Sequence, residues 1–275
     1  MKAGIYSASE LSNDDYHAVT DWYSSTQLKA VLPENYKKSE SSEALAFGSL
    51  VHSVVLEPDT LDQYVTLDAE RIGVKADGTA AQNPIMTAAW KRAVAEIERD
   101  GKTVVAQADW DRAHAMAKAI REHPTASRLL HSDDGASEGS VFVIDDDVLR
   151  HKARFDRHIP GLIIDLKTTS AKPGADSLTR TIIDYGYELS AAHYLAVAEL
   201  HGLDVQGFCW VFVGKDEPYR VTVCEPDEDL LARGRALRAK AIRRLTDPTE
   251  APYEGAHGFL TITCPAWARI EEYAL

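Results

Sequence analysis

The stretch Gly161–Ser170, GLIIDLKTTS, decides the fold. Leu162, Ile163, Ile164 and Leu166 read as a buried strand, and Asp165 and Lys167 interrupt that apolar run together. Charge placed in such a strand must be paired, metal-bound or functional to offset its desolvation. Side chains two apart on a strand share a face, so this carboxylate and this ammonium emerge side by side. An ion pair at a solvent-facing strand end is the ordinary explanation. The apolar run around the pair and the nearby Asp156 weigh against it.

Working outward, GSVFVI, the turn-like DDD, VLRHKARF and the turn around HIPG precede this strand. Three consecutive segments of β-rich composition predict an antiparallel meander. A helix follows at YELSAAHYLAVAELHG, then strands VQGFCWVFV and YRVTVCEP, then a long helix from about Asp227 to Leu245. Upstream, SSTQLKAVL, SSEALAFGSLVHSVVLEP, NPIMTAAWKRAVAEIERDG and ADWDRAHAMAKAIREHP show helical periodicity, the last two stopped by Gly101 and Pro124. Asp68–Asn83 is polar and reads as a loop. The pattern predicts an α/β protein: residues 1–275 as a single domain, about 1–132 a helical lobe and about 133–275 a sheet-containing catalytic core.

With 275 residues and 45% hydrophobic content, the chain can bury a sizeable core. It carries no stretch of membrane-span length and no signal-like N-terminus, so a soluble cytoplasmic protein is expected, with no membrane partner. Cys209, Cys224 and Cys264 are scattered without a CxxC and read as reduced thiols. The net charge of −13 argues against a generally basic, nucleic-acid-coating surface. From Arg150 to Arg180, however, seven basic residues face three acids, an excess that surrounds the opening motif. Protection of a strand edge would give the same excess.

Asp156 closes the second meander strand and Asp165 the third, so pairing of those strands brings the two acids close. Two carboxylates beside a lysine suit magnesium, which takes oxygen ligands and leaves room for substrate phosphate and water. Lys167 would orient and help deprotonate an attacking water, or stabilise charge developing on phosphate. Glu138 either extends the acidic centre or is a solvated turn residue.

The D…DxK arrangement resembles the PD-(D/E)xK nuclease superfamily. GSLVH, Gly48 to His52, matches the GxxxH helix motif of its RecB-like branch, and ARFDR, IIDLKTT, AFGSLVHSVVLEPD and SSTQLK resemble RecE-type exonucleases, also called exonuclease VIII. The resemblance runs from about Ser24 to Leu200 and implies a PD-(D/E)xK-like central mixed sheet flanked by helices. Carried over, it makes Asp156 and Asp165 metal ligands, Lys167 the catalytic lysine, and His52 a metal-proximal catalytic residue, with the Leu166 carbonyl a further ligand. Histidine is a softer donor than magnesium prefers, so manganese is a possible substitute. Ser25, Thr26, Arg154, Thr168 and Tyr194 are the DNA- or phosphate-binding candidates. Ser24, Ser25 and Thr26 can equally cap a helix, and Tyr194 can equally be core packing.

Two positions depart from the pattern. Phe155 stands where the family has proline, and Ser190 stands where the branch carries the glutamine of QxxxY, although Tyr194 remains. A hydroxyl cannot reach or bond as an amide would. The resemblance implies a magnesium-dependent exonuclease that resects linear double-stranded DNA from 5′ ends and leaves 3′ single strands for phage-type recombination. It also implies a ring-shaped homotetramer and a RecT-like annealing partner. The alternatives are an endonuclease of the same superfamily, or a noncatalytic DNA-binding or assembly module. A Cas4-like enzyme would need a cysteine cluster that these three cysteines do not make.

Overall fold

The computed structural model describes residues 1–37, 42–145, 149–172 and 174–247; Cys264 and the Asp146–Asp147 turn lie outside them. The elements run β1 (Gly4–Tyr6), α1 (Asn13–Ala18), α2 (Ser25–Ala30), α3 (Ser42–Leu56), β2 (Tyr64–Leu67), α4 (Ala69–Ile72), α5 (Ala88–Arg99), β3 (Thr103–Ala106), α6 (Gln107–Glu122) and α7 (Pro124–His131). They continue with β4 (Ala136–Ile144), β5 (Arg150–Ile159), β6 (Gly161–Thr169), α8 (Ala175–Tyr185), α9 (Tyr187–His201), β7 (Val205–Gly214), β8 (Val221–Cys224) and α10 (Glu228–Thr246).

The main sheet has the order β1-β4-β5-β6-β7-β8. The predicted meander is β4-β5-β6, antiparallel throughout, and β6 then pairs parallel with β7 after the crossover through α8 and α9. The sheet is therefore mixed, and its two faces are both covered, which is why β6 and β7 read as near-continuous apolar runs. On one face, Ile164, Leu166, Val211 and Val213 pack against Leu50, Val51 and Val54 of α3 and Met116 and Ile120 of α6. On the other, Phe155, Ile163, Trp210 and Phe212 meet Leu178 and Ile182 of α8 and Ala191 and Val197 of α9. Each large side chain so buried contributes roughly 1.5–3 kcal/mol, enough to fix the strand faces and hence the direction of the interspersed charges. α10 lies across α9, where Gly234 leaves room for the Glu188 carbonyl; a Cβ there would clash with that oxygen.

The N-terminal part differs from the predicted helical lobe. Gly4–Tyr6 adds an edge strand to the main sheet, and β2 and β3 form a separate two-stranded parallel sheet. These strands are three or four residues long and are held by distant partners, so local periodicity does not announce them. Pro124 does not only stop α6. It opens α7, because proline lacks the N–H that a first helical residue leaves unpaired, and the His123 ring caps the turn by accepting from the Ala126 N–H at 3.1 Å. The expected loop Asp68–Asn83 contains α4, capped by Asp68. Among the described residues no helix is long and apolar enough to cross a membrane.

Candidate functional site

The site lies where β5 and β6 separate. Their pairing ends at Arg157 and Ile164, so Asp156 and Asp165 sit just beyond the last paired residues, in the interior of their strands and not at the strand ends expected. An open fork leaves backbone N–H groups that must find other acceptors. Asp156 supplies one: its Oδ2 accepts the Leu166 N–H at 2.7 Å, tying its carboxylate into the gap.

On the other flank, β4 and β5 pair at Ser137–Arg157 and Gly139–Phe155 but not at Glu138, whose φ is +54°. A non-glycine residue in that left-handed region costs roughly 1–2 kcal/mol. The buried Arg154 holds the bent residue: its Nε donates to Glu138 Oε2 at 2.8 Å, and its Nη1 donates to Ser140 Oγ and the Leu11 carbonyl, each at 2.9 Å. α3 delivers the third group. His52 Nε2 lies 2.8 Å from the Leu166 carbonyl, which can only accept, so Nε2 carries the proton and Nδ1 faces the acids. Nδ1 is 3.7 Å from both Glu138 Oε1 and Asp156 Oδ2.

His52, Glu138 and Asp156 thus place ligand atoms within 4.8 Å of one another. Two carboxylates and one imidazole fit a small divalent cation, whose bonds of ~2–2.2 Å can bridge donors at such separations, with the Leu166 carbonyl adjacent. Asp165 is not part of that convergence. Its buried carboxylate is 2.6 Å from Lys167 Nζ, which is also 3.9 Å from Asp156 Oδ2.

The electrostatics follow from crowding charge in a partly dry fork. Burial raises the Asp156 carboxyl to about 6, because His52 and Lys167 offset it only in part. Burial alone would lower the His52 imidazole, but Asp156 and Glu138 outweigh it and push the group up to about 9. Burial would raise Glu138, yet His52 and Arg154 hold it below the usual carboxylate range. Lys167 is pulled down by burial and raised further by Asp165 and Asp156, so it is firmly an ammonium. As a cation it can donate to an oxygen acquiring negative charge.

The remaining expected residues fall in different places. The Tyr194 phenol is raised by burial and by the charges of Asp165 and Asp156, and it bonds with the buried Ser25 hydroxyl. Thr26 is exposed at the start of α2, while the side chain that caps this helix is that of Ser24. Thr168 is half-buried on β6, one position past Lys167 and so on the opposite face from it. Arg154 is buried, its guanidinium taken up by Glu138, Ser140 and the Leu11 carbonyl. Ser190 is buried, and among the described residues its hydroxyl reaches the Gly186 carbonyl, at 3.4 Å. Phe155, in the proline position, packs edge-on to Tyr194 with centroids 5.6 Å apart.

Three neighbours were missed by sequence reasoning. The Glu57 carboxylate lies 4.0 Å from Arg154 Nη2 and is raised by burial and by Glu138. The Tyr187 ring lies under Lys167, 5.4 Å from centroid to Nζ. Lys29 Nζ lies 5.8 Å from the same ring. Of these, Lys29 and Glu57 had a signal, lying in the SSTQLK and AFGSLVHSVVLEPD stretches, whereas nothing local marks Tyr187.

A mixed sheet that forks around paired carboxylates, with an adjacent lysine and a helix-borne histidine, defines a PD-(D/E)xK nuclease-like fold. The chain belongs to the family described as PDDEXK-like domain of unknown function (DUF3799), whose profile matches residues 15–252. Among solved structures it is similar to one from Eubacterium rectale described as a "Putative exonuclease", with a TM-score of 0.54, 16% identity, and coverage of 86% of this chain and 85% of that one. A second structure, SSO0001, has a TM-score of 0.29 at 15% identity over 81% of this chain and 87% of its own. No curated protein matches the chain.

Proposed function

We propose that this chain is a divalent-metal-dependent deoxyribonuclease of RecE type, degrading linear double-stranded DNA from 5′ ends to leave 3′ single strands for phage-type recombination. The observation that carries the reading is the convergence of His52, Glu138 and Asp156 beside an Asp165–Lys167 pair at a strand fork. The exonuclease description of the similar Eubacterium rectale structure supports the choice of exonuclease over endonuclease.

In this mechanism Glu138, Asp156, His52 and the Leu166 carbonyl would hold magnesium, or manganese in its place. The bound ion would supply Lewis-acid polarisation of a phosphodiester oxygen and activation of water. The protein does the rest. Arg154 and the Leu166 N–H fix the two carboxylates before substrate arrives, and Asp165 fixes the Lys167 ammonium toward the fork. Lys167 then stabilises negative charge as it develops on the phosphate or the leaving oxygen, an interaction worth ~3–4 kcal/mol in a water-poor site. Tyr194, held by Ser25, borders the same face.

The same reading makes the working form a homotetrameric ring in the cytoplasm, handing its product to a RecT-like annealing protein. Enclosure reconciles DNA binding with a net charge of −13, because only the channel need be basic. The test is strand-resolved digestion of a linear duplex labelled at either end, with closed circles alongside. The proposal expects loss of the 5′-terminated strand, a surviving 3′ overhang, and intact circles. Nicked or linearised circles would favour the endonuclease alternative, and metal binding with no cleavage would favour the noncatalytic module.

A further inference from the structure

Lys29 sits on the same side of the fork as Lys167, although it comes from the other end of the chain. The two ammonium groups share one aromatic ring, lying 5.8 Å and 5.4 Å from the Tyr187 centroid. They can therefore be no further apart than those two distances laid end to end, a few nucleotide steps at ~3.4 Å of rise per step on one strand.

The surroundings hold the stem of Lys29, and among the described residues Asp165 and Glu188 act on its charge only from beyond direct ion-pair distance. Gly186, at φ +66° between α8 and α9, leaves space for it; a Cβ there would meet Lys29 Cδ at 2.8 Å and the Tyr36 ring at 2.7 Å. Among the described residues the head group donates to the Tyr185 carbonyl at 3.4 Å, and no carboxylate lies within ion-pair distance of it. Burial, reinforced by the charge of Lys167 and opposed more weakly by Asp165 and Glu188, lowers its pKa to about 8. A lysine desolvated beside another lysine is unfavourable for folding, and an anion arriving at that point relieves it.

We propose that Lys29 is a second phosphate contact, its ammonium holding a backbone phosphate of the strand being cut a few nucleotides from the scissile one. This rests on the nuclease reading above. The bound strand would then lie along the Tyr187 face, one phosphate at Lys167 and another at Lys29, with the ring between them. Such a contact positions the strand and carries no sequence preference.

The test compares Lys29→Met, which keeps the packing stem, and Lys29→Arg, which keeps the charge, each combined with Lys167→Ala so that the DNA survives. Affinity for a 5′-phosphorylated linear duplex is measured in magnesium across a series of salt concentrations. Removing one phosphate contact should weaken binding roughly tenfold and reduce the slope of log affinity against log salt by about 1. Lys29→Arg should restore both. A Lys29→Met protein with the parent's slope would overturn the proposal, whatever its absolute affinity, because a merely structural lysine changes stability without changing ion release. Should Lys29→Met fail to unfold cooperatively, the same comparison is made with Lys29→Gln. A wild-type chain that neither binds nor cuts nucleic acid would instead remove the nuclease reading itself.

Discussion

Arg154 shows how a single residue's role depends on which face of a strand is covered. Its place in ARFDR made it a phosphate candidate, but the meander turns it inward, where it bonds Glu138, Ser140 and the Leu11 carbonyl. It acts on the site through Glu138. Replacing Arg154 by methionine keeps apolar volume but leaves a buried carboxylate without its partner, a change that typically costs ~3–5 kcal/mol. We expect a lower Tm and, by calorimetric titration, magnesium affinity reduced about 10- to 100-fold, the usual effect of losing a group that orients a ligand. Unchanged metal affinity would place Glu138 outside the ligand set. Gly48 poses the reverse case. A Cβ there would meet nothing within 4 Å, so the protein's own packing does not require glycine in the middle of α3, one turn before His52. Gly48→Ala should stabilise the helix by up to ~1 kcal/mol and, on the proposal that the scissile strand passes over the open surface beside His52, slow cleavage. Faster or equal cleavage by the stabilised variant would show that no substrate passes there.

At the scale of elements, α10 is fastened to the turn after α2 by charge. Glu34 meets Lys240 Nζ and Arg244 Nη1, each at 2.8 Å. Burial would raise the Glu34 carboxyl, but the hydrogen bonds from Arg244 and Lys240 outweigh it and lower it from 4.5 to about 2. A depressed folded pKa means that this contribution to stability is complete above the unfolded value and disappears as pH falls through the folded one. Wild type should therefore lose stability relative to Glu34→Gln as the pH drops from about 4.5 toward about 2, and the gap between them should be constant above that window. A gap that stays constant throughout in urea unfolding would contradict the assignment. This fastening was invisible in the sequence, since Glu34 and Arg244 are at opposite ends of it. The strands β4 to β7 and the long helices α3, α6, α9 and α10 were legible because their apolar periodicity is local and strong. β1, the β2–β3 pair and α4 were not, because short segments take their conformation from partners far away in sequence. α8 was missed although Leu178 and Ile182 give it a buried face, the helix at YELSAAHYLAVAELHG having been the one read between β6 and β7.

For the whole molecule, the same division between local and non-local information governs the site. The DxK pair and the GxxxH helix could be read because each is a short motif, and Asp156 followed from counting along a meander. What could not be read is the fork itself, which inserts the Asp156 carboxylate between β5 and β6, or the bend that turns Glu138 toward His52. Those features decide that His52, Glu138 and Asp156 converge while Asp165 pairs with Lys167. The most direct test of that account is release of nucleotides from linear 5′-phosphorylated duplex DNA, in magnesium or in EDTA, by wild type and by Lys167→Ala. The account predicts magnesium-dependent release by wild type and a rate at least ~100-fold lower for the variant, the loss expected when the stabiliser of a developing charge is removed. Equal rates for the two proteins, or no release by folded wild type in either magnesium or manganese, would contradict it.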